Sequence, residues 1–208
     1  MGGMLSLDPY LLLLLVGCLY ALVFGLLGYI RREGLSAQFL LEVVALTLLL
    51  TGASWLLGSP LNPILFLVIL YLVTMRSRLA VDAANVLARQ KRYDLALRLY
   101  DLALAVRPDL ASRLIVLTNR GAAELRMGHV QEAIDVLESV LETEKRPRLG
   151  LKYEAACRYN LAFAYEKDGQ NAKATAQYNE VIDLLPGSVY AQAAQSALKR
   201  QRKKDSGD

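Results

Sequence analysis

The sequence predicts an all-α protein: N-terminal transmembrane helices followed by a short α-solenoid of three helix pairs and a capping helix. Three observations carry that reading. Residues 1–75 hold only five charged side chains, Asp8, Arg31, Arg32, Glu33 and Glu42, whereas residues 76–208 hold the other 22 Lys/Arg and 17 Asp/Glu. From Arg76 onward the apolar residues recur at helical spacing, in stretches separated by short breaks. One set of spacings then repeats three times in that second part. The chain has 208 residues, a formal net charge of +4 and 54% hydrophobic residues, which is too apolar for wholesale disorder. The nearly charge-free first third excludes a purely soluble protein. Two cysteines, Cys18 in the apolar part and Cys157 in the charged part, exclude a disulfide scaffold.

The first apolar segment, Tyr10 to Ile30, has 21 residues and no charge. As a helix it is ~31 Å long, the thickness of a hydrocarbon core. No Lys or Arg precedes it, and Arg31-Arg32-Glu33 follow where a cleaved signal would have small residues, so it reads as a span. The second runs from about Ala37 to Leu57, with Ser36 as N-cap and one charge, Glu42. The third starts at the Ser59-Pro60 turn and ends at Met75, giving a short span over residues 60–75. Three spans are expected; the alternative is one full span plus a re-entrant hairpin. Arg31 and Arg32 in the first loop, and Arg76 and Arg78 after the third span, place residues 76–208 in the cytoplasm and the N-terminus outside. The compact chain suggests a bacterial plasma membrane.

Two features inside this region are candidates for packing. Gly17, Ala21 and Gly25 form a strip of small residues at i, i+4 and i+8, which lets another helix approach closely. That helix is either the chain's own second span or one from a partner subunit. Glu42 is costly inside a span and should find a partner, Arg31 or Arg32, or reach the interface. Thr47, Thr51 and Ser54 are too little polar company for an ion path.

The repeated spacing is clearest from Ala155 to Pro186. Ala162 is followed by Gly169, Ala174, Tyr178, Val181 and Pro186, at gaps of 7, 5, 4, 3 and 5. The same gaps link Gly121, Gly128, Ala133, Leu137, Val140 and Lys145, and again Ala84, Lys91, Ala96, Tyr100, Ala103 and Pro108. Small residues at the first and third positions let paired helices touch. Gly128 and Gly169 end a first helix where positive φ is needed, and the prolines stop the second helices. This pattern resembles the tetratricopeptide repeat over roughly residues 77–186. The departures are Lys91 in place of Gly, Lys145 in place of Pro, and a longer loop at Glu144–Gly150.

The expected domains are therefore a membrane domain over 1–75, a repeat solenoid over 76–186, and a capping helix with a basic tail over 187–208. Ser188 caps the last helix, whose apolar residues cover the end of the array. Its end carries Lys199, Arg200, Arg202, Lys203 and Lys204, a solvated tail or a contact for anionic lipid. No Gly or Pro lies between Pro63 and Pro108, so one nearly continuous helix is expected to leave the membrane and become the first repeat helix.

No catalytic constellation is present: the sequence lacks a phosphate-cradling Gly-rich loop, Cys-x-x-Cys and His-Glu-x-x-His. The single His129 sits at a helix–helix turn, Cys157 reads as a small packing residue, and Glu132, Glu138 and Glu142 read as a solvated face. No enzyme activity, metal or cofactor is expected, and no nucleic acid partner. The resemblance implies a groove lined by first helices, and with it binding of protein partners. By the repeat register its residues are Arg78, Val81, Asn85, Thr118, Asn119, Ala122, Tyr159, Asn160 and Phe163. The two asparagines Asn85 and Asn119 offer hydrogen bonds to a peptide backbone, and Tyr159 and Phe163 an apolar anchor. Relatives that clamp a terminal carboxylate have Lys or Arg at several positions where this chain has Val81, Ala156 and Asn160. The function expected is a scaffold or adaptor at the membrane that recruits or assembles partners. The alternative is an accessory subunit of a larger respiratory, photosynthetic or secretion complex.

Overall fold

A computed structural model of the chain describes residues 8–30, 37–143 and 150–205, with side chains as far as residue 203. Among the described residues every regular element is a helix: α1 (Pro9–Ile30), α2 (Ala37–Leu56), α3 (Pro63–Thr74), α4 (Arg76–Arg89), α5 (Tyr93–Ala105), α6 (Leu110–Met127), α7 (Val130–Thr143), α8 (Leu151–Lys167), α9 (Asn171–Leu184) and α10 (Val189–Asp205). The chain divides into two compact units, Met1–Leu79 and Ala80–Asp208.

In the first unit α1, α2 and α3 bury Leu13, Tyr20, Val43, Phe66 and Leu70 among themselves. Asp8 caps α1, its carboxylate accepting from the N–H groups of Tyr10 and Leu11 at 2.9 and 3.0 Å. Gly17 meets Thr47 of α2 so closely that a Cβ there would fall 2.5 Å from the Thr47 Oγ1. Gly25 is also buried and Ala21 half-buried, so the small-residue strip faces inward. The outward side chains, Leu22, Leu48, Leu49, Trp55 and Leu56 among them, are apolar and exposed. Two helices, α1 and α2, are long and apolar enough to cross a membrane. The helix α3 has 12 residues, ~18 Å of rise, and falls short of a full span by itself.

Three local expectations change in this unit. The N-cap of α3 is Asn62, with Pro63 in the first turn, rather than Ser59 with Pro60; Asn62 Oδ1 accepts from the N–H groups of Ile64 and Leu65. Ser59 instead helps to close the hairpin: the Ser54 hydroxyl donates to the Ser59 carbonyl at 2.7 Å and accepts from the Leu61 N–H at 2.8 Å. Glu42 pairs with Arg76, 34 residues on, through two contacts at 2.6 and 2.9 Å. Arg31, Arg32 and Ser36 lie outside the described residues. The helix does not run on past Met75 either. It breaks there, with Met75 at φ −101° and ψ 9°. The cause is a set of side-chain bonds. Thr74 Oγ1 donates to the Leu70 carbonyl and meets the Tyr20 hydroxyl, each at 2.7 Å, while Arg76 donates to the Val73 carbonyl at 2.7 Å. Side-chain bonds of this kind to helix carbonyls accompany helix bends.

The second unit stacks α4 to α10 in chain order. The central pair, α6 and α7, crosses at Gly121, where a Cβ would lie 2.7 Å from the Leu137 Cγ. Gly128 supplies the left-handed cap at φ 91°, and Asp109 caps the start of α6. The other pairs carry Ala84 with Tyr100, and Ala162 with Tyr178, at the same register; all four are fully buried. The Cys157 thiol is buried beneath the Leu137 carbonyl at 3.6 Å. Glu138 is not simply solvated, since it accepts the Tyr165 hydroxyl proton. The turn between α4 and α5 puts Lys91 at φ 62°, a left-handed conformation that suits glycine. The turn after α6 adds a polar clasp: His129 Nδ1 lies 2.8 Å from Glu124, whose side chain is largely buried.

Gly121→Ala should destabilise the array by about 1–3 kcal/mol, because the rigid crossing leaves no room for a methyl group. Lys91→Gly should do the reverse, stabilising by roughly 1 kcal/mol, a rise of about 2–4 °C in a chain of this size. Thermal melts followed by circular dichroism check both. The hydrogen bond to Glu124 holds the His129 imidazole above its ordinary value, with the Glu132 and Asp94 charges adding to it. The clasp therefore stabilises fully below about pH 6.5 and fades as pH rises through the raised value. The melting gap between wild type and His129→Ala should shrink from about pH 6 to about pH 9; a pH-independent gap contradicts the assignment.

Candidate partner-binding surface

The residues expected in the groove divide into three groups. Asn119 and Asn160 are partly exposed on α6 and α8, and neither amide has a hydrogen-bond partner among the described residues. Arg78 is exposed and Ala122 partly exposed. Asn85 is committed in part: its Oδ1 accepts from the Tyr100 hydroxyl at 2.6 Å, leaving the NH₂ group. Burial pushes the Tyr100 hydroxyl up to about 12, so it remains a donor at neutral pH.

The second group is closed off. Thr118 is 2% exposed and donates to the Leu114 carbonyl at 2.9 Å, so it faces the packed interior. Its helix, α6, is packed against α5, α7 and α8, which covers more of it than a terminal helix. Val81 and Ala156 are buried as well. Tyr159 is partly buried in an aromatic seam, its ring centroid 5.8 Å from that of Tyr178 and 6.0 Å from that of Tyr190. Tyr190 belongs to α10, so the capping helix closes over the position expected to anchor a ligand. Burial and the Glu166 carboxylate both push the Tyr178 hydroxyl upward, and its proton is donated to Glu166 at 2.8 Å.

Phe163 leads to the third group. It lines a cleft of about 410 Å³ between the last turn of α8, the start of α9 and α10, together with Glu166, Lys167, Asn171, Arg200 and Gln201. Lys167 holds its ammonium 5.4 Å from the Phe163 ring centroid. The basic run at the chain's end is not a loose tail in this arrangement. The helix α10 continues to Asp205, with Arg200 lining the cleft and Lys199, Arg202 and Lys203 exposed. The Lys204 side chain lies outside the described residues, as do residues 144–149 of the long loop.

The register alone could have pointed to the cleft. Each first helix has a basic residue in its last turn: Arg89, Arg126 and Lys167. Such cations favour a helix C-terminus, and in the third pair one of them comes to stand beside Arg200. Gln201 and Asn171 carried no signal in the sequence, because their place depends on how α10 docks.

Chemically the surface offers amides, cations and aromatic rings. Among the described residues no group of three His, Cys, Asp or Glu could hold a metal ion. The family model described as tetratricopeptide repeat matches residues 76–146, and a second tetratricopeptide repeat model matches residues 155–186. No curated protein matches the chain in sequence. The first match begins where α4 begins and covers α4 to α7; the second covers α8 and α9, with α10 following as a cap. Repeats of this family are protein–protein interaction modules, generally non-catalytic. Three helix pairs in one register, matched over both stretches, make the chain a tetratricopeptide repeat protein.

Proposed function

We propose that this protein is a non-catalytic adaptor at a bilayer, probed by its partners from the cytoplasmic side. In this reading α1 and α2 cross the membrane, α3 enters it, the N-terminus lies outside, and the repeat array binds a protein partner. One observation carries it: a single chain joins two helices long and apolar enough to span with a repeat array whose first helices keep unpaired amides at the surface. Asn119 and Asn160 would bind a backbone segment, with the Asn85 NH₂ group and Phe163 on the neighbouring first helices. The exposed cations of α10, Lys199, Arg202 and Lys203, would add attraction for anionic lipid.

The accessory-subunit reading needs a free intramembrane face, for which the sequence offered Gly17, Ala21 and Gly25. Gly17 is occupied by Thr47 and Gly25 is buried, so that strip supports packing within the chain and favours the adaptor.

Purification of the tagged full-length protein in a gentle detergent, with mass spectrometry of what accompanies it, tests the proposal. Asn119→Arg combined with Asn160→Arg should lower recovery of the partner about tenfold, a loss of ~1.4 kcal/mol, while the protein stays in the carbonate-resistant membrane pellet. Extraction by carbonate would overturn the membrane reading. Fixed stoichiometry with membrane subunits, unchanged in the groove variant, would make it a structural subunit instead.

A further inference from the structure

We infer that the cleft between α8, α9 and α10 receives an acidic segment of a protein partner, with a carboxylate between Lys167 and Arg200 and an apolar side chain against Phe163. The inference rests on the adaptor reading and names the chemistry of its partner.

Charge is the first argument. Lys167 and Arg200 both line the cleft, and neither forms an ion pair among the described residues. The carboxylate that also lines it, Glu166, already accepts a proton donor, the Tyr178 hydroxyl, at 2.8 Å. Two cations thus face a cleft in which the acid is partly engaged, which favours an anionic guest.

Hydrogen bonding points the same way. Gln201 Oε1 accepts from the Thr175 hydroxyl at 3.1 Å, but its Nε2 is buried without a partner. A buried, unsatisfied NH₂ is unfavourable and calls for an acceptor. Asn171 opens α9, whose N-cap residue Gln170 makes no capping bond; the Asn171 N–H donates to the Gly169 carbonyl at 3.0 Å, which leaves the Ala172 and Lys173 N–H groups as donors in that first turn.

The third argument is continuity with the repeat surface. Asn160, Phe163 and Lys167 follow one another at i, i+3 and i+7 along α8, so they share a face that runs from the open amides into the cleft. An extended segment lying on the first helices reaches the cleft at its end. A guest with both a carboxylate and an apolar group suits it better than a bare phosphate, because Phe163 forms part of the wall and the volume of about 410 Å³ lies in the range of organic ligand sites.

The test uses the full chain in detergent and a fluorescein-labelled peptide, Asp-Glu-Phe-Asp-Glu-Leu, followed by anisotropy. Arg200→Glu and Lys167→Glu should each weaken binding about tenfold or more, while Arg98→Glu, the same charge change at an exposed position of α5, should stay within about twofold. Asn171→Asp gives a second check that does not risk the fold. An acidic residue in the first turn favours α9, so a purely structural role predicts a more stable protein with unchanged binding. The inference predicts a more stable protein that binds the peptide less well. Equal binding by the cleft variants and Arg98→Glu overturns it, as does no binding by the wild type. Cleft-dependent binding of phosphatidylglycerol vesicles in place of the peptide overturns it too, and makes the guest a lipid headgroup. Normal recovery of the cellular partner with Arg200→Glu removes the cleft but leaves the adaptor; no cellular partner for the wild type removes the adaptor itself.

Discussion

The hydrogen atom that stands for a side chain at Gly121 fixes how near α6 and α7 can lie, and the array is built outward from that contact. Leu137 fills the space a methyl group would need. With α7 drawn in so far, α6 can serve two clusters at once. Its Val116 and Ala123 join the core under α4 and α5, while Leu114 and Leu125 join the core shared by α7 to α10. In a stack of repeats each unit contacts only its neighbours, so stability is carried by such shared helices. The outer pairs solve the same crossing differently, with a methyl group and a tyrosine. A tyrosine reaches further than a leucine and brings a hydroxyl, which Asn85 takes in the first pair and Glu166 in the third.

Much of this order is legible in the sequence because it is local and repeated. A set of residues at gaps of 7, 5, 4, 3 and 5, small at its first and third positions, marks the crossings, and Gly128 and Gly169 mark the turns. The left-handed turn is a demand of the register rather than of the residue, since Lys91 adopts it too. What escaped the sequence depends on contacts between distant elements. Nothing near Met75 breaks a helix by propensity; the break follows from bonds made by Thr74 and Arg76. Thr118 reads as surface until α8 is placed beside α6. Tyr159 reads as an open ring until α10 brings Tyr190 over it. The cleft itself is assembled from three helices, and only its Phe163 and Arg200 stood out beforehand, the latter for a different reason.

The first unit shows how few charges can still organise a helical hairpin. Glu42 and Arg76 meet through two short contacts, a paired geometry that satisfies both groups. Removing one partner would leave the other charge uncompensated in apolar surroundings, a heavier penalty than the pair's own net worth. Gln38 adds a donor to the same carboxylate at 3.0 Å. At the far end of α2 the Ser54 hydroxyl performs the corresponding task with neutral groups. The ends of that helix are thus held by polar bonds, and its middle by the fit of Thr47 against Gly17.

The burial of Cys157 has a consequence for chemistry rather than for packing. Its sulfur sits under the Leu137 carbonyl, at the seam between the second and third repeats, whereas Cys18 lies exposed on α1. A thiolate must reach solvent to be alkylated. Modification of Cys157 therefore waits for that seam to open, and its rate reports the opening free energy of the solenoid in the intact protein. Cys18 lies at mid-span in the proposed membrane arrangement, out of reach of a water-borne reagent. Cys157 thus acts as a clock that times the breathing of the array.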